Sequence, residues 1–452
     1  MRASDLDDRR VTVWGAGREG LAALRVLGRQ SPADLFLHTD EPLGASEEAE
    51  ARAAAAPHAL EVGWGPAGSE RLRSSDVLIR SPGVSLYRPE IERLKRAGVR
   101  LTTGTNLWLA EHGHERLVVI TGTKGKSTTS HALTELLTAS GVDAKLAGNI
   151  GSPLLDRLDE SAEVWVLELS SYQLADLDQP VGIGAVLNLL PEHLDWHGSW
   201  ERYYADKLRL LELSGTAVLN ATDPRLTEAG GSLSDVRWFG SPGGYRVVED
   251  AIHGPSGHLL AGSELRLRGA HNLLNLCAAL TVIDELGGDP RELLDVMAEL
   301  EPLPHRLEQL GEKDGLVYVN DSIATIPEAT IAALDASPRP LALLVGGHER
   351  QQDYGRLIEL IFADPGIETV IGLPGNGSRI IEQIVTTATE RGLSGPPTTV
   401  AADIDEAVAC AAAGLPKGGT ILLSPGAPSY GKFRDFTERG EKFAKASGLT
   451  HG

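Results

Sequence analysis

Residues 117–128 read Leu-Val-Val-Ile-Thr-Gly-Thr-Lys-Gly-Lys-Ser-Thr, and this stretch decides how the rest of the chain is read. Leu117 to Ile120 is a short apolar run of strand type, and Thr121 to Gly125 is a glycine-containing turn. From Lys126 a helix can start, with Ala132, Leu133, Leu136 and Leu137 at helical spacing. A strand, a tight turn and a helix N-terminus aim successive backbone N–H groups at one point, where the helix dipole also favours an anion. Lys126 supplies a positive charge for β- and γ-phosphates, and the Ser127 hydroxyl suits Mg²⁺. The turn Gly122-Thr123-Lys124-Gly125-Lys126-Ser127 is two residues shorter than the common phosphate loop, since Ile120 stands where that loop has its first glycine. A Gly-Lys-Ser turn that merely caps a helix is the plainer alternative. Strand, turn and helix fall where phosphate binding needs them, so binding of ATP or GTP is expected.

Outward from this loop the chain alternates strands and helices. Val11 to Trp14 reads as a strand, followed by the turn Gly15-Ala16-Gly17-Arg18-Glu19-Gly20, a helix through Leu27, and a second strand, Leu35 to Leu37, leading to His38-Thr39-Asp40. This is a βαβ opening with a Gly-x-Gly-x-x-Gly turn, a weak signal that also fits a packing turn without a ligand. Asp76 to Ile79 runs into Ser81-Pro82-Gly83-Val84, a second turn at the strand edge where such sheets bind ligands. Val164 to Leu167 leads into Glu168, and Ile183 to Leu190 ends before Pro191-Glu192-His193. The glycine-rich stretch from Gly230 to Ser263 predicts hairpins or loops, and a helix follows His271-Asn272. Beyond Pro302-Leu303-Pro304, four strands end in turns of small or polar residues, near Asn320, Val345, Gly372 and Leu423. The pattern predicts an α/β protein of three domains: 1–110, Rossmann-like; 111–302, a mostly parallel sheet around the phosphate loop; and 303–452, Rossmann-like again.

A chain of 452 residues exceeds one core. A net charge of −21 argues against nucleic acid and draws attention to Lys124, Lys126 and Lys207 as local cations for phosphate. Cys277 and Cys410 have no metal spacing and read as buried thiols of a reducing compartment. No apolar run approaches the roughly 18 residues of a membrane span, and the start lacks a signal peptide's apolar core. A soluble, cytoplasmic protein is expected. Glu168, at a buried strand end and followed by Ser170, Ser171 and Gln173, suits Mg²⁺. His193 in its loop is by itself more often structural than a ligand, and Lys207 on a predicted helix reads by itself as a solvated lysine. The phosphate loop, Glu168 and the loop at His193 should converge along one sheet edge.

The order of motifs resembles the Mur ligases. It comprises the Gly122–Thr128 loop, Gly148 to Gly151, Leu167 to Leu174, Asn188 through Asp195, Lys207-Leu208-Arg209, His271-Asn272, Pro304-His305-Arg306 and Asn320-Asp321-Ser322. The likeness covers essentially the whole chain; its central motifs are very specific and its N-terminal ones looser. Within the family it is strongest to the branch that adds glutamate to UDP-N-acetylmuramoyl-L-alanine in peptidoglycan precursor synthesis. The resemblance implies ATP-dependent amide-bond formation through an acyl phosphate, with two Mg²⁺ ions and a CO2-derived carbamate on Lys207. It implies Lys126, Glu168, His193 and Lys207 as catalytic residues, and Ser127, Glu168, His193 and carbamylated Lys207 as metal ligands. ATP would be held by Gly122, Thr123, Lys124, Gly125, Lys126, Ser127, Thr128, Asn272, Arg306 and Asp321. The uridine-linked substrate would meet Gly15, Gly17, Arg18, Glu19, Gly20, Thr39, Ser81, Gly83, Asn149, Ser170 and Gln173. A monomer is expected, with closure of the third domain on the second.

Departures from the family pattern cluster in the third domain. Enzymes that add D-glutamate read Asp-Ser-Lys-x-Thr-Asn where this chain reads Asp321-Ser322-Ile323-Ala324-Thr325-Ile326. Their Gly-Gly-x-x-Lys is Gly346-Gly347-His348-Glu349-Arg350, and Ser424 to Gly431 carries an additional proline and lacks an expected aspartate. Losing a lysine at Ile323 and gaining Arg350 rearranges the cations that would clamp two carboxylates. The variant branch that adds L-glutamate is therefore implied, with Thr325, Arg350, Ser429 and Phe436 as amino-acid contacts and a separate pathway epimerase as partner. The same reaction with D-glutamate is the alternative. Folylpolyglutamate synthase shares the loop and the modified lysine but lacks a domain like residues 1–110. A nucleotide-dependent switch needs no second-substrate domain, and a dinucleotide oxidoreductase leaves the Lys126 loop unexplained.

Overall fold

The computed structural model describes residues 1–150 and 152–449. Gly151, the end of the Gly148–Gly151 motif, and residues 450–452 at the end of the third expected domain lie outside the described residues. The chain forms two compact units, one of residues 1–265 with 272–300, the other of residues 266–271 with 301–452.

The first unit holds two parallel sheets and a small meander. Strands Arg10–Trp14 (β1), Asp34–Thr39 (β2), Glu61–Trp64 (β3), Val77–Arg80 (β4) and Arg100–Thr102 (β5) lie in the order β3-β2-β1-β4-β5. That order places the Gly15 and Ser81 turns side by side where connections leave in opposite directions, the position at which doubly wound sheets hold ligands. Strands Arg116–Thr121 (β6), Ala144–Gly148 (β7), Val164–Glu168 (β8), Val181–Val186 (β9), Ser214–Asn220 (β10) and Val236–Phe239 (β11) follow in the order β11-β10-β9-β6-β8-β7. All neighbours in it are parallel. Central β6 and β8 are buried along nearly their whole length, as their unbroken apolar runs require. The glycine-rich stretch after residue 230 forms one further parallel strand, β11, and then an antiparallel meander of Arg246–Val248 (β12), Ala251–Gly254 (β13) and Gly257–Ala261 (β14).

One apolar core joins the two parallel sheets, running from Val11, Leu37 and Ile79 through Leu107 and Trp108 to Val119, Trp165 and Leu167. Trp108 and Trp165, both fully buried, meet edge to face with centroids 4.9 Å apart. Each buried ring of this size stabilises the fold by about 1.5–3 kcal/mol. The other face of the first sheet buries Trp14, Phe36 and Leu78 under Leu72, Ile91 and Leu94.

In the second unit, Glu308–Lys313 (β15), Leu316–Asn320 (β16), Leu341–Val345 (β17), Ile367–Gly372 (β18), Thr398–Val400 (β19) and Thr420–Leu423 (β20) form a sheet ordered β15-β16-β20-β17-β18-β19. Only β15 runs antiparallel to its neighbour. β16, β20 and β17 are adjacent, so the turns after Asn320, Leu423 and Val345 share one edge. The α/β class with mostly parallel sheets is thus present. Among the described residues no helix is long and apolar enough to cross a membrane. Cys277 is buried as expected, whereas Cys410 is only half-buried, because it packs against the core from the margin of the buried face of the helix Ile404–Ala413.

Candidate functional site

The turn between β6 and the helix Lys126–Ala139 has the shape of an anion cradle. Gly122 and Gly125 both take positive φ, 156° and 85°. A β-carbon at Gly125 would overlap the side-chain amide of Asn275, so this position demands glycine twice over. The turn is pinned from outside. The Thr123 N–H donates to the Asn188 carbonyl at 3.0 Å, and the Lys124 N–H donates to Asn188 Oδ1 at 2.8 Å. Thr123 Oγ1 donates to the Leu190 carbonyl at 2.9 Å and meets the Tyr203 hydroxyl at 2.8 Å. Lys126 Nζ folds over the turn and donates to the Gly122 and Thr123 carbonyls at 3.0 and 3.1 Å. Ser127 and Thr128 occupy the first helical turn, and the buried Thr128 hydroxyl has no hydrogen-bond partner among the described residues. Asn272 reaches this region through Asn275, whose amide donates to Asn272 Oδ1 at 3.3 Å.

Glu168, Lys207 and His193 surround the turn. Glu168 ends β8 beside β6, is 1% exposed, and receives the Asn149 amide on Oε1 at 2.8 Å. Its Oε2 has no partner among the described residues. A buried carboxylate oxygen left open is costly unless a cation or donor arrives. Lys207, expected to be solvated when read alone, is buried instead. Its helix, Trp200–Leu213, turns Tyr203, Lys207, Leu210 and Leu211 toward the sheet, and its Nζ donates to the Gly122 carbonyl at 2.9 Å. Burial, then the Lys126 ammonium, hold the Lys207 amine well below an ordinary lysine value, so a neutral, nucleophilic amine is accessible. His193 sits in left-handed backbone at φ 56° on the turn after β9, its ring 5.0 Å from that of Tyr172. Burial holds its imidazole below the ordinary value; Glu192 opposes this, and Lys126, Lys207 and Lys124 add to it. A neutral imidazole is the form that ligates metals.

At the first sheet, Ser81 Oγ donates to the Gly15 carbonyl at 3.3 Å, and a β-carbon on Gly15 or Gly20 would collide with this joint. Gly17 caps the helix Arg18–Leu27, whose N-terminus carries Arg18 and Glu19. Burial lifts the Glu19 carboxyl to about 7, with the Arg18 charge opposing and Asp156 adding to it. Thr39 Oγ1 donates to the Glu41 carbonyl at 2.7 Å, and Gly83 is open to solvent space. Ser170 and Gln173 bond each other in a capping box at the helix Ser171–Leu174, so their oxygens already serve the local turn. Sequence reasoning missed Arg80, which is fully buried. It donates to Asp176 through Nε and Nη2 at 3.0 and 2.7 Å, and to the Val84 carbonyl at 2.6 Å. Asn188 and Glu192 were also missed as supports of the loop, Glu192 pairing with Lys124 at 3.1 Å.

In the second unit the three adjacent turns carry the remaining residues. Asp321 accepts the Ser424 hydroxyl at 2.8 Å and the Leu307 N–H at 3.3 Å, next to Arg306. Burial lifts its carboxyl to about 7, against the Ser424 bond and the Arg306 charge. The Thr325 carbonyl accepts from Gln352 at 2.9 Å, and the Arg350 guanidinium lies 5.7 Å from the ring of Tyr430, next to buried Ser429. The Phe436 carbonyl accepts the Ser322 hydroxyl at 2.7 Å. Arg439, absent from the sequence expectations, is fully buried and donates to Ser322 Oγ, the Ser322 carbonyl and the Ala427 carbonyl, at 3.0, 2.7 and 3.0 Å. It ties two of the turns together.

Residues 120–283 match the Mur ligase middle domain, and residues 305–427 match the Mur ligase glutamate ligase domain. A protein of Xanthomonas campestris pv. campestris (strain 8004) named UDP-N-acetylmuramoyl-L-alanine--L-glutamate ligase is 39% identical, covering 99% of this chain and 97% of its own. One of the same name from Salinispora tropica is 42% identical over the full length of both chains. The chain belongs to the Mur ligase family. Among solved structures, the Thermotoga maritima UDP-N-acetylmuramate-alanine ligase MurC shares the fold, with a TM-score of 0.59 at 16% identity over 97% of this chain and 98% of its own.

Mur ligases use ATP and Mg²⁺, and the residues of this Mur ligase fit both. The cradle of positive-φ glycines, with Lys126 above it, suits a polyphosphate. The open oxygen of Glu168 and the lowered imidazole of His193 suit a divalent cation. Among the described residues there is no group of three His, Cys, Asp or Glu side chains that could hold a metal ion. Mg²⁺ is commonly held by one or two carboxylates together with substrate phosphates and water, so this sparse ligand set agrees with it.

Proposed function

We propose that this chain joins L-glutamate to UDP-N-acetylmuramoyl-L-alanine at the expense of ATP. The observation that carries the reading is the convergence of Lys126, Lys207 and the open Glu168 oxygen on one glycine turn. The names of full-length relatives support the substrates. The cluster of departures at Ile323, Arg350 and Ser424–Gly431 supports the L-isomer.

An alanyl carboxylate is a poor acyl donor. Transfer of the γ-phosphoryl group to it gives an acyl phosphate and ADP. The glutamate amine then attacks the acyl carbon, phosphate leaves with the C–O bond electrons, and the amine loses its proton. Both steps build negative charge on oxygen, which preorganised cations stabilise. Lys126 neutralises the γ-phosphoryl oxygens, and Asn149 orients Glu168. Ser127, Glu168, His193 and a carbamylated Lys207 would hold Mg²⁺, which would supply further charge neutralisation. Carbamylation is chemically open to Lys207 because burial disfavours its ammonium form and so favours the neutral, CO2-reactive amine. Residues 1–110 would take the uridine diphosphate through Gly15–Gly20, Thr39, Ser81 and Gly83; residues 111–302 would take ATP. Residues 303–452 would take glutamate through Thr325, Arg350, Ser429 and Phe436, and the ATP set would include Asn272, Arg306 and Asp321.

The test is ATP-dependent phosphate release with the uridine-linked acceptor, Mg²⁺ and either pure glutamate isomer. Turnover with L-glutamate at least a hundredfold above D-glutamate is expected. Turnover with the D-isomer alone would refute the L-specific reading, and no turnover with either would refute the ligase assignment.

A further inference from the structure

The reaction proposed above uses the Ser81–Gly83 turn and Lys207, but leaves unused a hydrogen-bonded chain that runs between the segments carrying them. The Tyr87 hydroxyl donates to Asp206 Oδ1 at 2.6 Å. Asp206 Oδ2 lies 2.6 Å from His197 Nδ1, and His197 Nε2 lies 3.0 Å from Ser171 Oγ. A Ser–His–Asp sequence of contacts suggests a hydrolytic nucleophile. His197 is 0% exposed, Ser171 3% and Asp206 6%, so no substrate reaches the serine and the chain is a scaffold.

Its endpoints make it informative. Tyr87 closes the segment that begins with the Ser81 turn, and that segment is tied down twice more. Ser85 Oγ donates to the Trp196 carbonyl at 2.7 Å, and Trp196 Nε1 donates to the Pro82 carbonyl at 3.1 Å. Ser171 opens the short helix that follows Glu168. Asp206 immediately precedes Lys207 on a helix that also touches the phosphate turn through Tyr203 and Thr123. One carboxylate therefore grips Tyr87, in the segment that continues the Ser81 turn, with one oxygen and, through His197, the Glu168 segment with the other.

We propose that Asp206 is a positioning residue that couples seating of the sugar-nucleotide acceptor on the Ser81–Gly83 turn to the placement of Lys207 and Glu168 around ATP. This rests on the functional reading above. Whichever ligand binds first orders the shared bridge, and the second then meets a smaller ordering cost. Such coupling is reciprocal and, at typical strength, changes affinity 5- to 150-fold.

Tyr87→Phe deletes the hydroxyl while retaining the ring that packs edge to face on Trp196 at 5.9 Å and under Arg202 at 4.8 Å. The experiment measures the affinity of a non-hydrolysable ATP analogue with Mg²⁺, with and without UDP-N-acetylmuramoyl-L-alanine, in the full-length wild type and in Tyr87→Phe. The acceptor should tighten the analogue about tenfold in the wild type and less than threefold in the variant. Each ligand alone should bind the variant within about twofold of wild type. Asp206→Asn should abolish the coupling too, and Tyr87→Phe decides the matter if that harsher change unfolds the protein. Equal tightening in both proteins, or none in a wild type that binds both ligands, would overturn the proposal and leave the ligase reading intact. A wild type that binds the analogue but not the acceptor would overturn both.

Discussion

Asp176→Ala removes the counter-ion of a guanidinium that has no contact with solvent. Arg80 is 0% exposed and Asp176 17%, and the pair is bidentate at 3.0 and 2.7 Å. Breaking a buried pair from one side typically costs 3–5 kcal/mol, because the remaining charge is stranded. Arg80 keeps carbonyl acceptors at Val84, Tyr172, Ser81 and Pro82, at 2.6, 3.0, 3.2 and 3.4 Å, which places the expected loss at the lower end, about 3 kcal/mol. All 7 tryptophans lie between residues 14 and 238, so their fluorescence during urea unfolding reports the first compact unit alone. With a urea slope of about 3 kcal/mol/M, the midpoint should fall by about 1 M. Asp176→Asn keeps the shape and loses the charge, and should fall between wild type and Asp176→Ala. Because Arg80 also holds the Ser81, Pro82 and Val84 carbonyls, the KM for the uridine-linked acceptor should rise about tenfold while that for glutamate stays constant. A midpoint shift under about 0.3 M would refute the assignment of Arg80 as a stabilising anchor.

Lys207→Arg keeps a cation but cannot form a carbamate, and should lower kcat by about a hundredfold or more; ¹³C-bicarbonate should give one carbamate NMR signal in wild type and none in the variant. Gly125→Ala forces a side chain into left-handed backbone at φ 85° against Asn275, and should weaken ATP binding at least tenfold by calorimetry. An unchanged affinity would contradict the cradle geometry. Burial lifts Glu19 from 4.5 to about 7, so the folded state prefers its protonated form and stability is complete below pH 4.5 and is lost as pH rises toward 7. Glu19→Gln, which mimics the protonated acid, should match wild type near pH 4.5 and exceed it by at most about 3 kcal/mol at pH 8, read by urea midpoints at both pH values.

The glycine turn ahead of Lys126 was legible because it is local. Strand, glycines and helix start are consecutive residues, and the two glycines have positive φ as a turn of this type needs. The parallel sheets were legible for a related reason, since apolar runs ending in small polar turns report burial along each strand. Short edge strands such as β3, β5 and β19 were not, because few residues and half-exposed faces leave no pattern. Lys207 shows the limit most clearly. Read alone it is a surface lysine, yet it shares a helical face with Tyr203, Leu210 and Leu211, and that spacing carries the signal of burial.

By itself the sequence determined the glycine turn between a strand and a helix and the α/β rhythm, because these depend on neighbours a few positions apart. Only the tertiary structure decided that Glu168 keeps one oxygen open and that Lys207 lies under the loop as a buried amine. It alone joined Arg80 to Asp176 and Tyr87 to Asp206. Such contacts span about a hundred residues of chain, and burial, which sets both their strength and the protonation of the groups, exists only once the sheets have closed over them.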